Sequence, residues 1–194
     1  DENRQAIINP EDLVEALPDF PEIVVSCFAR ETFKRMLADF QHELLASTSM
    51  ANIEIPIYKV FVEEREIALF NAPVGASACV AILEDLIAFG MKKLVLFGTC
   101  GVLNEDIKET SIIVPHTAIR DEGTSYHYLP ASDEIEVNVG LRDFLLSFLT
   151  KNKISHSTGK VWTTDGIYRE TAAKLRKRKE MGAVCVDMEC SAVA

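Results

Sequence analysis

The segment KLVLF at Lys93–Phe97 limits the possible folds more than any other part of the chain, because it leaves no polar face for water. A strand of this kind is expected to be covered on both sides, as in a sheet with helices on both faces. Other short apolar runs at residues 23–25 and 183–186 also read as buried strands, and residues 111–119 and 160–163 read as further strands. Between them lie helical stripes. Ala76–Phe89 is a helix stopped by Gly90, and residues 30–45 place Phe33, Met36, Leu37, Phe40 and Leu44 on one helical face. Residues 137–152 repeat that stripe, residues 168–179 give a basic-faced helix, and Asn9 and Pro10 open a short helix to Leu17. Residues 55–62 and 66–71 read as a hairpin with a charged turn at Glu63, Glu64 and Arg65. Alternating helices and buried strands predict an α/β fold, a three-layer αβα sandwich with a largely parallel mixed central sheet and its active-site loops at strand C-termini.

With 194 residues the chain falls within the range of a single domain, and residues 1–194 are expected to share one core. Hydrophobic residues at 48% and charged residues at 26% exclude disordered and low-complexity classes. A formal charge of −10 and a pI near 4.9 argue against nucleic acid or an anionic membrane as partner. Any anionic substrate then needs a local cationic pocket. The cysteines, Cys27, Cys79, Cys100, Cys185 and Cys190, are odd in number and form no CxxC, which points to a reducing cytosol and not to a disulfide framework. The histidines, His42, His116, His127 and His156, lack metal-ligand spacing, so no metal and no organic cofactor are expected. The first residues carry no targeting signal and no initiator Met, and no run reaches the ~20 apolar residues of a membrane span.

Three motifs carry candidate chemistry. Gly98-Thr99-Cys100-Gly101 follows a buried strand, where glycines permit close backbone approach and Thr99 offers a hydroxyl beside free amides; it is a site for an oxyanion or sugar hydroxyls, or a plain tight turn. Asp187-Met188-Glu189 puts two carboxylates at the end of an apolar strand. Glu189 then either accepts hydrogen bonds from a sugar diol beside the adaptable Met188, or caps or salt-bridges the next helix. Asp165-Gly166-Ile167-Tyr168-Arg169 suits a planar base held by stacking and hydrogen bonding, or else Asp165 caps a helix with Tyr168 in the core and Arg169 paired to Glu170. The polar run from Arg120 to Tyr128 is too long for a bare turn and marks a functional loop. Cys100 has no histidine partner and reads as a small packing residue.

LVLFGTCGVL (residues 94–103), AIRDEGTSYHYLP (118–130), VWTTDGIYRET (161–171) and VDMECSA (186–192) together resemble the nucleoside phosphorylase superfamily, in particular its uridine phosphorylase-like branch. The resemblance implies a sandwich fold assembled as homodimers or homohexamers, and cleavage of a nucleoside's N-glycosidic bond with inorganic phosphate as co-substrate. By position it implies that Thr99, with Gly98 and Gly101, contacts phosphate and ribose, that Met188 and Glu189 hold the ribose, and that Asp165, Ile167, Tyr168 and Arg169 line the base site.

The arginine that such enzymes commonly carry in the strand before GT-x-G is replaced here by Leu94-Val95-Leu96-Phe97, and the nearest counterpart of their Gly-Asp-Pro-x-x-Arg turn is Ser26 to Arg30. Arg30, Arg35 or a neighbouring subunit is then the expected source of phosphate-binding charge. The expected activity is that of a cytosolic uridine phosphorylase-type enzyme; the alternatives are a nucleosidase using water and a non-catalytic binding or storage protein. Because the last apolar segment begins a helix and halts after about one turn, the chain is expected to lack a C-terminal strand and helix. One side of the 183–186 strand should then be partly uncovered.

Overall fold

The computed structural model describes residues 5–108 and 111–194. These residues divide into two compact units, one of residues 5–74 and 78–98, the other of residues 75–77, 99–108 and 111–194.

The first unit holds a five-stranded mixed sheet of β1 (Ile23–Cys27), β2 (Gln41–Met50), β3 (Ile53–Val62), β4 (Arg65–Asn71) and β5 (Lys93–Phe97), in the order β2-β3-β4-β1-β5. β1 runs parallel to β4 and β5. The hairpin predicted from residues 55–71 is present, with Val62 opposite Arg65 and Glu63 in the left-handed region at φ 55. Helix α1 (Arg30–Asp39) packs Phe33, Met36 and Leu37 on one face of the sheet, against Cys27, Val60 and Leu69. Helix α2 (Ala76–Phe89) has the predicted bounds, and Gly90 ends it at φ 134. Its Asp85 accepts a hydrogen bond from Thr48 on β2. Thr48 pairs with Ile55, so α2 lies over the face that also buries Ile57.

Three expectations fail in this unit. The stripe over residues 30–45 is not one helix: the backbone turns extended at Phe40, and Gln41–Met50 pairs antiparallel with β3 through a two-residue turn, with Ala51 at φ 50. Sheet pairing of this segment outweighs its helical spacing, and Phe40 and Leu44 are left exposed. The helix from Pro10 to Leu17 reduces to a 3-10 turn at Pro10–Asp12, where the Asn9 amide donates to Asp12 Oδ2 at 2.8 Å. Finally, β5 is an edge strand: Leu94, Val95 and Leu96 are half-buried and Phe97 is exposed, so KLVLF is not covered on both sides.

The second unit holds β6 (Gly101–Val102), β7 (Ile112–Asp121), β8 (Glu134–Glu136), β9 (His156–Thr164) and β10 (Ala183–Asp187), ordered β6-β10-β9-β7-β8. The three long strands are parallel and the short outer ones antiparallel. The helices are α3 (Ser125–Tyr128), α4 (Val139–Lys151), α5 (Ala172–Glu180) and α6 (Cys190–Val193). The helix expected over 168–179 starts later, at Ala172, because Thr171 caps it, its Oγ1 accepting the Lys174 amide at 3.3 Å; Ile167–Arg169 forms a separate 3-10 turn. Ala183, Cys185 and Val186 are buried, the first and last packing with Ile119, Trp162, Leu103 and Met181, while Val184 of the same strand is half-buried. The α/β class and the mixed pairing hold, with the strands shared between two sheets; four strand pairs are parallel, β1–β4, β1–β5, β7–β9 and β9–β10, and four are antiparallel.

Candidate active site

In the second unit the parallel strands end side by side. Asp121 of β7 is in register with Thr164 of β9, and Thr163 with Asp187 of β10. On the other side of β10, Gly101 pairs with Val186, which brings the Thr99-Cys100 segment beside Asp187. The C-terminal edge of one parallel sheet therefore gathers Thr99, Gly101, Asp165, Met188 and Glu189, where the open ends of strands leave backbone groups and side chains free to meet a ligand.

Glu189 is 6% exposed, and its carboxylate accepts the Gly75 amide at 2.6 Å. Gly75 has φ 102, a conformation glycine adopts without strain, and immediately precedes α2, so the carboxylate rests at the positive end of a helix. Burial pushes the Glu189 carboxyl above the usual carboxylate range; the Asp187 charge adds to this, and the Gly75 and Met188 amides oppose it. Glu189 occupies the N-cap position of α6 without making a side-chain cap, and among the described residues no cation pairs with it. Asp187 does the capping. Its Oδ2 accepts the Cys190 amide at 2.9 Å and its Oδ1 accepts the Thr163 hydroxyl at 2.7 Å, while burial pushes its carboxyl upward. Met188 is half-buried between them.

The glycines before and after Thr99 have neighbours of their own. A Cβ at Gly98 would lie 2.7 Å from the Phe28 ring, and one at Gly101 would lie 2.9 Å from Val186 Cγ1. Packing alone therefore demands glycine at both positions, whether or not a ligand approaches. Thr99 is exposed. Cys100 is half-buried, and the neighbouring Cys185 thiol brings its own thiol down to about 7, against the opposing effects of burial and Asp187.

Asp165 does not cap α5. Its Oδ2 accepts the Gly123 amide at 2.9 Å, tying the end of β9 to the loop after β7. Tyr168 is 94% exposed and so is not in the core; Ile167 and Arg169 are exposed with it on the 3-10 turn. Arg30 is exposed at the first residue of α1, in the first unit.

Sequence reasoning missed that the polar run beginning at Arg120 starts inside β7 and that Arg120, Glu122 and Ser125 within it are buried. Arg120 is 4% and Glu122 5% exposed. Arg120 Nε donates to Ser125 Oγ, and its Nη1 to Pro130 O and Ser132 Oγ, each at 2.8 Å, with the guanidinium 4.0 Å above the Tyr126 ring. Asp121 accepts Trp162 Nε1 at 3.0 Å and pairs with Lys174 and Arg178. The available signal was the spacing of Glu122 and Ser125, three residues apart, which lets the carboxylate accept the Ser125 amide at 2.9 Å. No group of metal-ligating side chains and no helix long and apolar enough to cross a membrane occurs among the described residues.

The family model for the phosphorylase superfamily matches residues 22–194. A DeoD-type purine nucleoside phosphorylase of Buchnera aphidicola subsp. Acyrthosiphon pisum is 29% identical over 142 residues, covering 70% of this chain and 59% of the relative. One from Bacillus cereus is 26% identical over 131 residues, covering 66% and 56%. The chain thus spans less than two thirds of the length of these relatives. Among solved structures, uridine phosphorylase from Vibrio fischeri ES114 superposes with a TM-score of 0.81 at 21% identity, covering 97% of this chain and 78% of that one. Purine nucleoside phosphorylase from Toxoplasma gondii in complex with immucillin-H gives 0.79 at 20% identity, with 93% and 75% covered. At such identities the likeness is one of fold.

Proposed function

The chain belongs to the phosphorylase superfamily, and from that premise we propose that it cleaves the N-glycosidic bond of a uridine-like ribonucleoside with inorganic phosphate, releasing base and ribose 1-phosphate. The observation that carries this reading is Glu189: a buried carboxylate, anchored on one backbone amide and without a cationic partner among the described residues. Burying such a charge is unfavourable unless hydrogen-bond donors reach it. Two vicinal ribose hydroxyls are donors of the right kind.

In this reading Glu189 accepts the ribose hydroxyls, Met188 lies against the sugar, and Thr99 with the amides of the Gly98–Gly101 segment receives phosphate oxygens. Arg30 supplies positive charge to the phosphate, and the segment from Asp165 through Ile167, Tyr168 and Arg169 receives the base. Bonds to Glu189 that strengthen as the ribose becomes oxocarbenium-like lower the barrier. Phosphate attacks C1′ opposite the departing base, and hydrogen bonds to the base stabilise its growing negative charge. Neither a metal nor an organic cofactor has a role in this scheme. A homodimer or homohexamer in the cytosol completes the proposal.

The relatives named as purine nucleoside phosphorylases favour a second reading in which the base is a purine. The apolar Leu94–Phe97 stretch, without the strand arginine, favours a third in which water replaces phosphate. Incubating the protein with uridine, inosine and methylthioadenosine, with and without phosphate, separates them: phosphate-dependent uridine cleavage is expected, and no cleavage of any substrate points to a binding protein. Glu189→Gln should lower kcat about 10- to 100-fold, since hydrogen bonds to a charged group contribute about 1.5–3 kcal/mol. Wild-type kinetics in that variant would remove Glu189 from the site. Arg30→Ala should raise KM for phosphate and leave KM for nucleoside unchanged.

A further inference from the structure

We propose that Glu122 is a positioning residue, which holds Glu189 in place by clamping, through Ser191, the turn that carries it. As a statement about catalysis this rests on the phosphorolysis reading above; as a statement about the turn it rests on geometry alone.

Glu122 is separated from Ser191 by 69 residues, and both are buried. The carboxylate accepts the Ser125 amide at 2.9 Å, the Ser125 hydroxyl in a short hydrogen bond, and the Ser191 hydroxyl at 2.9 Å. Burial alone would raise the Glu122 carboxyl, but the bonds from Ser125, Ser191 and the Thr124 amide outweigh it and hold the group below the usual range. Glu122 is therefore an anion that only accepts, and Ser191 has to donate to it. Through Ser125 Oγ, which accepts from Arg120 Nε, a buried guanidinium supports the same charge from one hydroxyl away.

The other tie on the turn is Thr163. Its hydroxyl donates to Asp187 Oδ1 and accepts the Ser191 amide at 3.0 Å, joining the residues two before and two after Glu189. Glu189 thus sits at the crest of a turn whose two feet are fixed, one by Thr163 and the other by Thr163 together with Glu122. α6 already has a cap in Asp187, so a buried carboxylate from the loop after β7 is not needed to begin a four-residue helix. The neighbouring Gly123 amide holds Asp165, so one loop places both the proposed ribose-binding and base-binding segments.

The test uses Glu122→Gln, Ser191→Ala and the double variant of the whole chain, with steady-state kinetics on whichever nucleoside the wild type cleaves and amide hydrogen exchange on all four proteins. Each single variant should lose about 10- to 100-fold in kcat, the range expected when a buried hydrogen bond to a charge is broken. KM for phosphate should stay within about twofold of wild type, and the double variant should be no slower than the worse single one, since both changes act on the same Glu122–Ser191 contact. The Cys190 and Ser191 amides should exchange about tenfold faster, or more, with β7 and β9 unchanged. Unchanged kcat, or a loss accompanied by general loss of protection and a raised phosphate KM, would overturn the proposal. If the wild type cleaves no nucleoside, the functional reading fails by itself; faster exchange confined to the turn would still support the clamp, and unchanged exchange would refute it.

Discussion

Cys100 and Glu189 are displaced from their ordinary ionisation in opposite senses, and each displacement has a measurable result. With its thiol brought down to about 7 by the Cys185 hydrogen bond, Cys100 should react with iodoacetamide at a rate half-maximal near pH 7. Cys27 and Cys190 are pushed up by burial, and Cys185 by its bond to Cys100 and by burial, so these three should lag. Cys185→Ala removes the donor, and the alkylation rate of Cys100 at pH 7 should fall about tenfold as its thiol returns toward ~8.5; an unchanged rate would show that Cys185 does not hold it. For Glu189 the folded carboxyl is raised, chiefly by burial, so the folded state binds the proton more tightly than the unfolded chain. Its contribution to stability is present below the unfolded carboxylate range and is lost as pH rises through the folded value. Glu189→Gln should therefore be more stable than wild type to urea at pH 8, with the difference gone by about pH 4. Equal midpoints at pH 8 would mean the burial has no energetic consequence.

Between neighbouring strands the tightest requirement falls on Gly159 of β9. A Cβ there would sit 2.7 Å from Val184 Cγ1 on β10, so Gly159→Ala should lower stability by about 1–3 kcal/mol in urea unfolding, the usual range for overpacking. Adding Val184→Ala should recover part of the loss; no recovery would place the strain elsewhere. Nothing in the sequence marked Gly159, because the need arises only once β9 and β10 lie in parallel register. The same distinction separates what was legible from what was not. α2 was readable to the residue because its apolar stripe and terminating glycine are local signals, and so was the β3–β4 hairpin, through its charged turn. β2 was not: Phe40 and Leu44 continue the helical spacing of Phe33 and Leu37, and only pairing with β3 decides the matter. β6 and β8, of two and three residues, are too short to carry a pattern. Within the site, Glu189 and Asp165 were legible as residue types in motifs, whereas their partners, Gly75 and Gly123, are set by tertiary contacts. Glu122 read as part of a polar functional loop, but its burial was not legible because its partner Ser191 lies 69 residues away.

For the chain as a whole, a formal charge of −10 opposes the approach of a phosphate dianion. If phosphate is the co-substrate, its binding must be local and strong enough to appear as stabilisation. At a concentration about 100 times its Kd it should add about 2.7 kcal/mol, which for a protein of this size is a rise of about 5–10 °C in Tm. Scanning fluorimetry in phosphate against chloride at matched ionic strength measures this; no shift with phosphate, alongside a shift with nucleoside, would favour hydrolysis by water. The same folded scaffold also separates what can change from what cannot. Ile167, Tyr168 and Arg169 are exposed on a turn that buries none of its residues, bounded by the Asp165 tie and the Thr171 cap. Substitutions at such surface positions usually stay within about 0.5 kcal/mol, whereas Glu122, Thr163 and Ser191 are locked together in the interior. If that turn receives the base as proposed, mutation and selection leave it free to drift while the buried clamp beneath Glu189 stays fixed, so a lineage could acquire a new base preference through a few neutral steps without first gaining stability to spare.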